Sequence, residues 1–177
     1  ALVFDAQWQQ IYREDFVREG EFTGEDGTVW KTEMMYSEEN FYLTDGVAEG
    51  FLKYYADAEY AFAALLPREG ATLSEYISSL TGEGLRKMLC SPQECHVNVS
   101  IPKFEMEYDV EMSDILKKMG MSQAFDETQA DLSGIGSSTA GNLYISKVLH
   151  KTYMAVDERG TRAGAATAVE AEDGCAM

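Results

Sequence analysis

The feature that most constrains this chain is an alternation of very small side chains near its C-terminal end. From Thr161 to Ala171 every second residue is small or apolar, and Arg162 and Glu170 occupy positions between them. A period of two is typical of a β-strand with one face available for burial. Alanine and glycine have low β propensity and contribute little hydrophobic stabilisation, so nothing local fixes such a strand in place. We therefore expect a segment that either stays in solvent or inserts between two existing strands, with Gly160 as its hinge.

The composition excludes several classes of protein. The chain has 177 residues, 45% hydrophobic and 25% charged, which is enough for one compact domain with a hydrophobic core. Its 14 basic and 31 acidic residues give a formal net charge of −17, which opposes binding to nucleic acid. No apolar run approaches the roughly 20 residues that cross a bilayer, and the start lacks the pattern of a signal peptide. The first residues are typical of a strand interior, so we expect a piece of a longer protein.

Few side chains are available for catalysis or metal binding. Two histidines, His96 and His150, and three cysteines leave little from which to build a histidine-based triad or a zinc site. We therefore expect no enzyme activity, cofactor or metal. Cys90 and Cys95 are separated by four residues that include a proline. In an oxidising environment a disulfide between them is one alternative, and two free thiols are the other.

Hydrophobic periodicity predicts strands and short helices in a single domain. Apolar runs over 47–57 and 59–67 predict a centrally buried antiparallel meander. Thr72 and Glu75 have the spacing of a helix capping box. The other predicted elements are strands over 1–8, 28–36, 96–101 and 143–156, a helix over 83–89, and a helix that begins at Ser113 or Asp114 and ends at Gly120.

Several motifs resemble the serpin family of serine protease inhibitors. The stretch VDERGTRAGAATAV is similar to the hinge of the serpin reactive-centre loop. The motifs that agree in order are FDAQW, KTEMMY, LLPREG, IPKFEMEYDV, LKKMGMSQAFDETQADLSGI and LYISKVLHKTYMAVDERGT. The resemblance implies an α+β fold of large, mostly antiparallel sheets with helices. It also implies that the helical N-terminal half and a short C-terminal strand segment of a complete serpin are absent.

The same resemblance implies a suicide-substrate mechanism. The target protease becomes acylated by the residue before the scissile bond, and the freed loop inserts as a new central strand before the ester hydrolyses. Residues 1–157 would form the body, and residues 158–177 would form the hinge and loop, inserted after cleavage. One alternative is a non-inhibitory serpin that acts as a carrier, chaperone or storage protein. Another is a generic acidic binding module with a flexible Ala/Gly tail.

Individual residues match the family pattern. Arg159 and Arg162 depart from it, because acidic residues are common at their positions. Trp8 resembles the tryptophan beneath the point where the loop first inserts, and His150 resembles the buried histidine that hydrogen-bonds across the opening sheet. The residues that match the inhibitory hinge are Glu158, Gly160, Thr161, Ala163, Ala165, Ala166 and Thr167.

Two positions are candidates for the residue before the scissile bond. The commonest family spacing from the hinge glycine selects Gly174. The chain ends at Met177, a residue that elastase-like, chymotrypsin-like and subtilisin-like proteases accept, and this selects Met177 instead. The expected partners are such a serine protease and the N-terminal and C-terminal serpin segments, with neither nucleic acid nor membrane. We expect the protein outside the cell, with an intracellular location left open.

Overall fold

The structure is a computed structural model that describes residues 1–174. Its strands are β1 (Leu2–Gln7), β2 (Val17–Thr23), β3 (Val29–Thr44), β4 (Ala48–Tyr54), β5 (Ala61–Pro67), β6 (Gln93–Pro102), β7 (Phe104–Glu111), β8 (Leu143–Val156) and β9 (Gly160–Asp173). Its α-helices are α1 (Leu73–Ser79), α2 (Gly82–Leu89) and α3 (Ser113–Leu116). In this part of the chain no helix has the length and apolar character that a membrane span requires.

One antiparallel sheet is organised around the long strand β3. The order β2-β3-β4-β5 follows the chain, and β6 also pairs with β3. The predicted strand over 28–36 and the apolar residues around Tyr42 form one continuous strand of 16 residues. The turn after β3 is held by Asp45, whose Oδ1 accepts hydrogen bonds from the backbone N–H groups of Val47 and Ala48. The predicted meander of β4 and β5 is confirmed by their antiparallel register.

The core of this sheet lies under β3 and β4. Leu43, Leu52 and Met88 form a buried cluster, against which further apolar side chains of α2 and β5 pack. The prediction that both strands of the meander are buried is correct for β4 and wrong for β5, where Leu66 is 69% exposed. β5 is the last strand in the described order, so only one of its edges is paired.

The second sheet has the order β1-β9-β8-β7. β9 therefore lies between two other strands, although it is the last strand along the chain. β8 spans the predicted residues, and β9 returns beside it as an antiparallel neighbour. Backbone hydrogen bonds from Asp157 to Gly160 and from Gly174 to Asn142 close the two ends of this hairpin.

The contacts divide the chain into two compact units. Of the described residues, one unit contains 1–4, 105–154 and 162–174, and the other contains 5–104 and 155–161. The sequence predicted a single domain. Both units are assembled from segments that are distant along the chain, so no linker in the sequence marks the division. The proposed functional boundary between residues 157 and 158 is a separate prediction, which this division does not address.

The short helices begin as the sequence predicts. The Thr72 side chain accepts a hydrogen bond from the Glu75 N–H, and Glu75 accepts one from the Thr72 N–H, which confirms the capping box. α2 begins at a second cap, formed by Thr81. α3 begins at Ser113 and ends at Leu116, where a π-helical turn over Lys117–Met121 follows it. Gly120 has a φ of 105° and interrupts the helical path, as the sequence predicts.

Cys90 and Cys95 are free, exposed thiols in the structure. Cys90 caps the C-terminus of α2, and Cys95 belongs to β6, which pairs with β3. The structure therefore contains the unbridged alternative.

Candidate functional site at the hinge of strand β9

A tight turn joins β8 to β9. The Oδ1 atom of Asp157 accepts hydrogen bonds from the backbone N–H groups of Arg159, at 2.8 Å, and Gly160, at 3.1 Å. Gly160 is buried against β1, and a Cβ atom built on it would overlap the carbonyl oxygen of Ala6. Only glycine allows the two backbones to approach this closely. The turn therefore requires glycine at position 160, the residue that the sequence predicts as a hinge.

Trp8 lies directly against this turn. Its indole Nε1–H donates to the carbonyl oxygen of Asp157 at 2.9 Å. Its backbone N–H donates to the carbonyl oxygen of Arg159 at 2.8 Å. The ring is 2% exposed and stacks on Tyr55, with ring centroids 4.7 Å apart. Trp8 was expected beneath the point of insertion, and it contacts the turn at Asp157 and Arg159.

Thr161 is the first strand residue after the hinge glycine, and it is 2% exposed. Its Oγ1 accepts a hydrogen bond of 2.8 Å from the hydroxyl of Tyr55. Burial raises the pKa of Tyr55, and the bond to Thr161 opposes that rise. A side chain larger than threonine has no room here, and a charged one would lose its hydration.

An ion pair lies on the other side of the turn. The Nζ atom of Lys103 is 2.8 Å from a carboxylate oxygen of Glu158 and 3.6 Å from Glu33. The hydrogen bond from Lys103 lowers the pKa of Glu158, and the same bond raises the pKa of Lys103. The backbone carbonyl of Glu158 accepts a hydrogen bond from the Tyr12 N–H at 2.9 Å. Glu158 is thus held by both its side chain and its backbone.

The buried ammonium group of Lys53 lies beside two aromatic residues, Tyr12 and Trp8. Lys53 is 3% exposed, and its Nζ is 2.6 Å from Glu39. The same atom lies 4.4 Å from the ring centroid of Tyr12 and 5.8 Å from that of Trp8, which is within the range of cation–π attraction. Burial raises the pKa of the Tyr12 hydroxyl to about 12.

Three residues at this turn, Trp8, Gly160 and Thr161, were candidates from the sequence, whereas Tyr55 and Lys103 were not. Tyr55 and Thr161 are 106 residues apart, and periodicity contains no signal for such a pairing. Lys103 lies in the quoted motif IPKFEMEYDV. A single lysine after a proline that interrupts a strand has the same sequence pattern as a lysine exposed to solvent, so it was not a candidate.

Farther along β9 the predicted burial of one face holds only in part. Ala163 and Ala165 are half-buried, whereas Ala166, Thr167 and Val169 are exposed. The sequence predicted a face available for burial, and in the described chain that face is partly covered only as far as Ala165. Arg162, which lies between two residues of this face, is exposed.

His150 contacts β9 itself. It was expected to be a buried histidine, but it is half-buried, and its Nδ1 lies 2.8 Å from the Oγ1 of Thr167. This bond joins neighbouring strands β8 and β9. A role for His150 in opening the sheet stays a prediction.

The structure describes one of the two candidates for the residue before the scissile bond. Gly174 follows the last residue of β9, and its N–H donates to the carbonyl oxygen of Asn142 at 3.0 Å. Met177 lies outside the described residues. Among residues 1–174 there is no group of three or more His, Cys, Asp or Glu side chains that could hold a metal ion.

The chain is similar to known proteins over most of its length. The family model described as Serpin (serine protease inhibitor) matches residues 1–176. Human Serpin B9 is 33% identical over 183 aligned residues, which cover 100% of this chain and 48% of Serpin B9. Bovine Serpin B10 is 31% identical, with 96% of this chain and 44% of that protein covered.

A solved structure is also similar. The crystal structure of a thermophilic serpin, tengpin, in the latent state is 45% identical, with a TM-score of 0.87. The match covers 94% of this chain and 46% of tengpin. The chain therefore belongs to the serpin family and has the serpin fold. It spans about half the length of the relatives that it matches.

Proposed function

We propose that this chain is part of a serine protease inhibitor that traps its target by inserting the cleaved reactive-centre loop into a sheet. The observation that supports this most is the position of β9 between β1 and β8, beginning at the Gly160 hinge. A strand of small residues in an interior position gains backbone hydrogen bonds on both sides without displacing a packed core.

The protease supplies the chemistry. Its serine oxygen attacks the carbonyl carbon of the residue before the scissile bond, an ester forms, and the amine of the following residue leaves. Insertion of β9 then moves the acylated residue away from the hinge before water hydrolyses the ester. The free energy released when the sheet gains a strand is coupled to distortion of the enzyme. Gly174 and Met177 remain the two candidates for the acylated residue.

The target protease is expected among elastase-like, chymotrypsin-like and subtilisin-like enzymes. The test incubates the full-length protein with one enzyme of each type and with trypsin. We expect a covalent complex that survives denaturing electrophoresis with at least one of them. Mass spectrometry of the released C-terminal peptide identifies the scissile bond.

The hinge variant Thr161→Arg tests the mechanism. Because Thr161 is buried against Tyr55, an arginine there delays insertion, and the ester hydrolyses first. We expect the number of inhibitor molecules cleaved per protease trapped to rise about tenfold or more. Ala168→Arg, at an exposed position of the same strand, is the matched control and should trap normally. If Thr161→Arg also traps normally, hinge insertion is not the mechanism.

The alternative is a non-inhibitory serpin that acts as a carrier, chaperone or storage protein. The small hinge residues favour inhibition, because a non-inserting hinge has no need for them. A protein of the alternative class is cleaved by the same proteases without forming a covalent complex, so the enzyme panel separates the two functions.

A further inference from the structure

The end of β9 that is distant from the hinge is held by a defined group of residues. The N–H of Gly174 donates to the carbonyl oxygen of Asn142 at 3.0 Å. A Cβ atom built on Gly141 would overlap the carbonyl oxygen of Gly174, so the two glycine backbones lie in close contact. Gly141 is therefore needed here for the same reason that Gly160 is needed at the hinge.

A side-chain hydrogen bond adds to this contact. The hydroxyl of Ser138 donates to the Oδ2 atom of Asp173 at 2.5 Å, and the same hydroxyl oxygen accepts a bond from the Ala140 N–H at 3.1 Å. Charge-assisted hydrogen bonds of this kind are stronger than neutral ones. The last strand residue is thus bound by its side chain, and the residue after it by its backbone.

The segment that makes these contacts is fixed independently of β9. The Nδ2 atom of Asn142 donates to the carbonyl oxygens of Ala130, at 2.7 Å, and Glu127, at 3.2 Å. These bonds tie the segment to the preceding loop, in which Asp126 caps the backbone of Thr128. A receptor that is ordered in advance loses little conformational entropy when the strand arrives.

We infer that residues 138–142 form a clasp that binds the distal end of β9 and fixes how far the strand inserts. This inference rests on the proposed function, because it concerns the strand that the proposed mechanism inserts. The hinge sets where insertion begins, and the clasp sets where it ends. The acylated residue is then held at a fixed distance from the body, instead of on a strand end that frays.

The test uses Gly141→Ala in the full-length protein after cleavage of the loop. Hydrogen–deuterium exchange is followed in two segments of β9, residues 161–166 and 168–174. We expect exchange in 168–174 to become about tenfold faster, because the added methyl group displaces Gly174 from the Asn142 carbonyl. Exchange in 161–166 should not change.

Two controls isolate the clasp. Gly134→Ala changes a glycine in the same loop whose added Cβ has no atom within 4 Å, and it should leave both segments unchanged. Ser138→Ala removes the bond to Asp173 and should accelerate exchange in 168–174 by a smaller factor. Ser133→Ala, whose hydroxyl bonds only locally to Asp131, is its matched control.

The outcomes distinguish this inference from the proposed function. If the wild-type segment 161–174 exchanges freely after cleavage, insertion does not occur, and both proposals are overturned. If the wild-type strand is protected and Gly141→Ala does not change its distal exchange, only the clasp is overturned. If the distal end loosens in Gly141→Ala while the wild type traps no protease, the clasp stands and inhibition fails.

Discussion

Thr161 is the residue on which the proposed insertion of β9 most depends, because it is buried and its hydroxyl is paired with Tyr55. Its partner, Tyr55, also stacks on Trp8, so three side chains from distant parts of the sequence form one unit at the hinge. A buried hydroxyl left without its partner costs more than a hydrogen bond contributes. Removing either partner of this pair should therefore destabilise the hinge.

Tyr55→Phe tests this pairing. It leaves the Thr161 hydroxyl buried without this donor, and we expect the loop-cleaved full-length protein to lose about 1–2 kcal/mol of unfolding free energy. Thr161→Val combined with Tyr55→Phe should cost less than the sum of the two single changes, since both polar groups are then gone. Chemical denaturation of the four proteins measures this coupling. Strictly additive costs would show that the hydroxyl pair is not coupled.

The ion pair between Glu158 and Lys103 predicts a pH dependence. The Lys103 hydrogen bond lowers the pKa of Glu158 below its ordinary 4.5. Because the folded-state pKa is depressed, the stabilisation is present above 4.5 and is lost as the pH falls through the folded value. Both side chains are about one-third exposed, so we expect Glu158→Gln to cost less than about 1 kcal/mol at neutral pH.

Unfolding curves of wild type and Glu158→Gln, measured from neutral pH down to acid, check this sign. The difference between the two proteins should shrink as the pH falls below 4.5. A difference that grows on acidification would contradict the assignment of the pair.

At the scale of elements, local signals in the sequence were reliable where the structure depends on neighbours along the chain. The capping box of α1 and the span of β8 were predicted correctly, since caps and alternation are local. The exposure of β5 was not predicted, because an apolar strand reads the same at the centre and at the edge of a sheet. The exposure of the distal half of β9 could not be predicted either way, because alternation indicates which face can be buried but not whether anything covers it.

The capping box predicts the stability of α1. Thr72→Ala removes both the side-chain acceptor for the Glu75 N–H and the hydroxyl bonded to the Glu75 carboxylate, and it should cost about 1 kcal/mol. Ser78→Ala, at an exposed helix position whose hydroxyl bonds only to the Ser74 carbonyl, is the matched control and should be nearly neutral. Thermal unfolding of the full-length protein measures both. Equal effects would show that the cap does not stabilise α1.

At the scale of the whole molecule, the sequence predicted the family correctly but not the division into two compact units. The quoted motifs and the small residues after Gly160 were sufficient for the family, which the comparisons confirm. They were not sufficient to predict two compact units made of interleaved segments, because that division depends on contacts between residues far apart along the chain. For the same reason Tyr55 and Lys103, which complete the hinge site, became visible only in the structure.

The proposed mechanism requires β9 to become an interior strand when the loop is cut. Hydrogen–deuterium exchange across residues 161–173, in the uncleaved and the cleaved full-length protein, tests it most directly. We expect rapid exchange before cleavage and strong protection after it, because the N–H groups of β9 then bond to β1 and β8. Rapid exchange in the cleaved protein, at the same rate as in the uncleaved one, would contradict it.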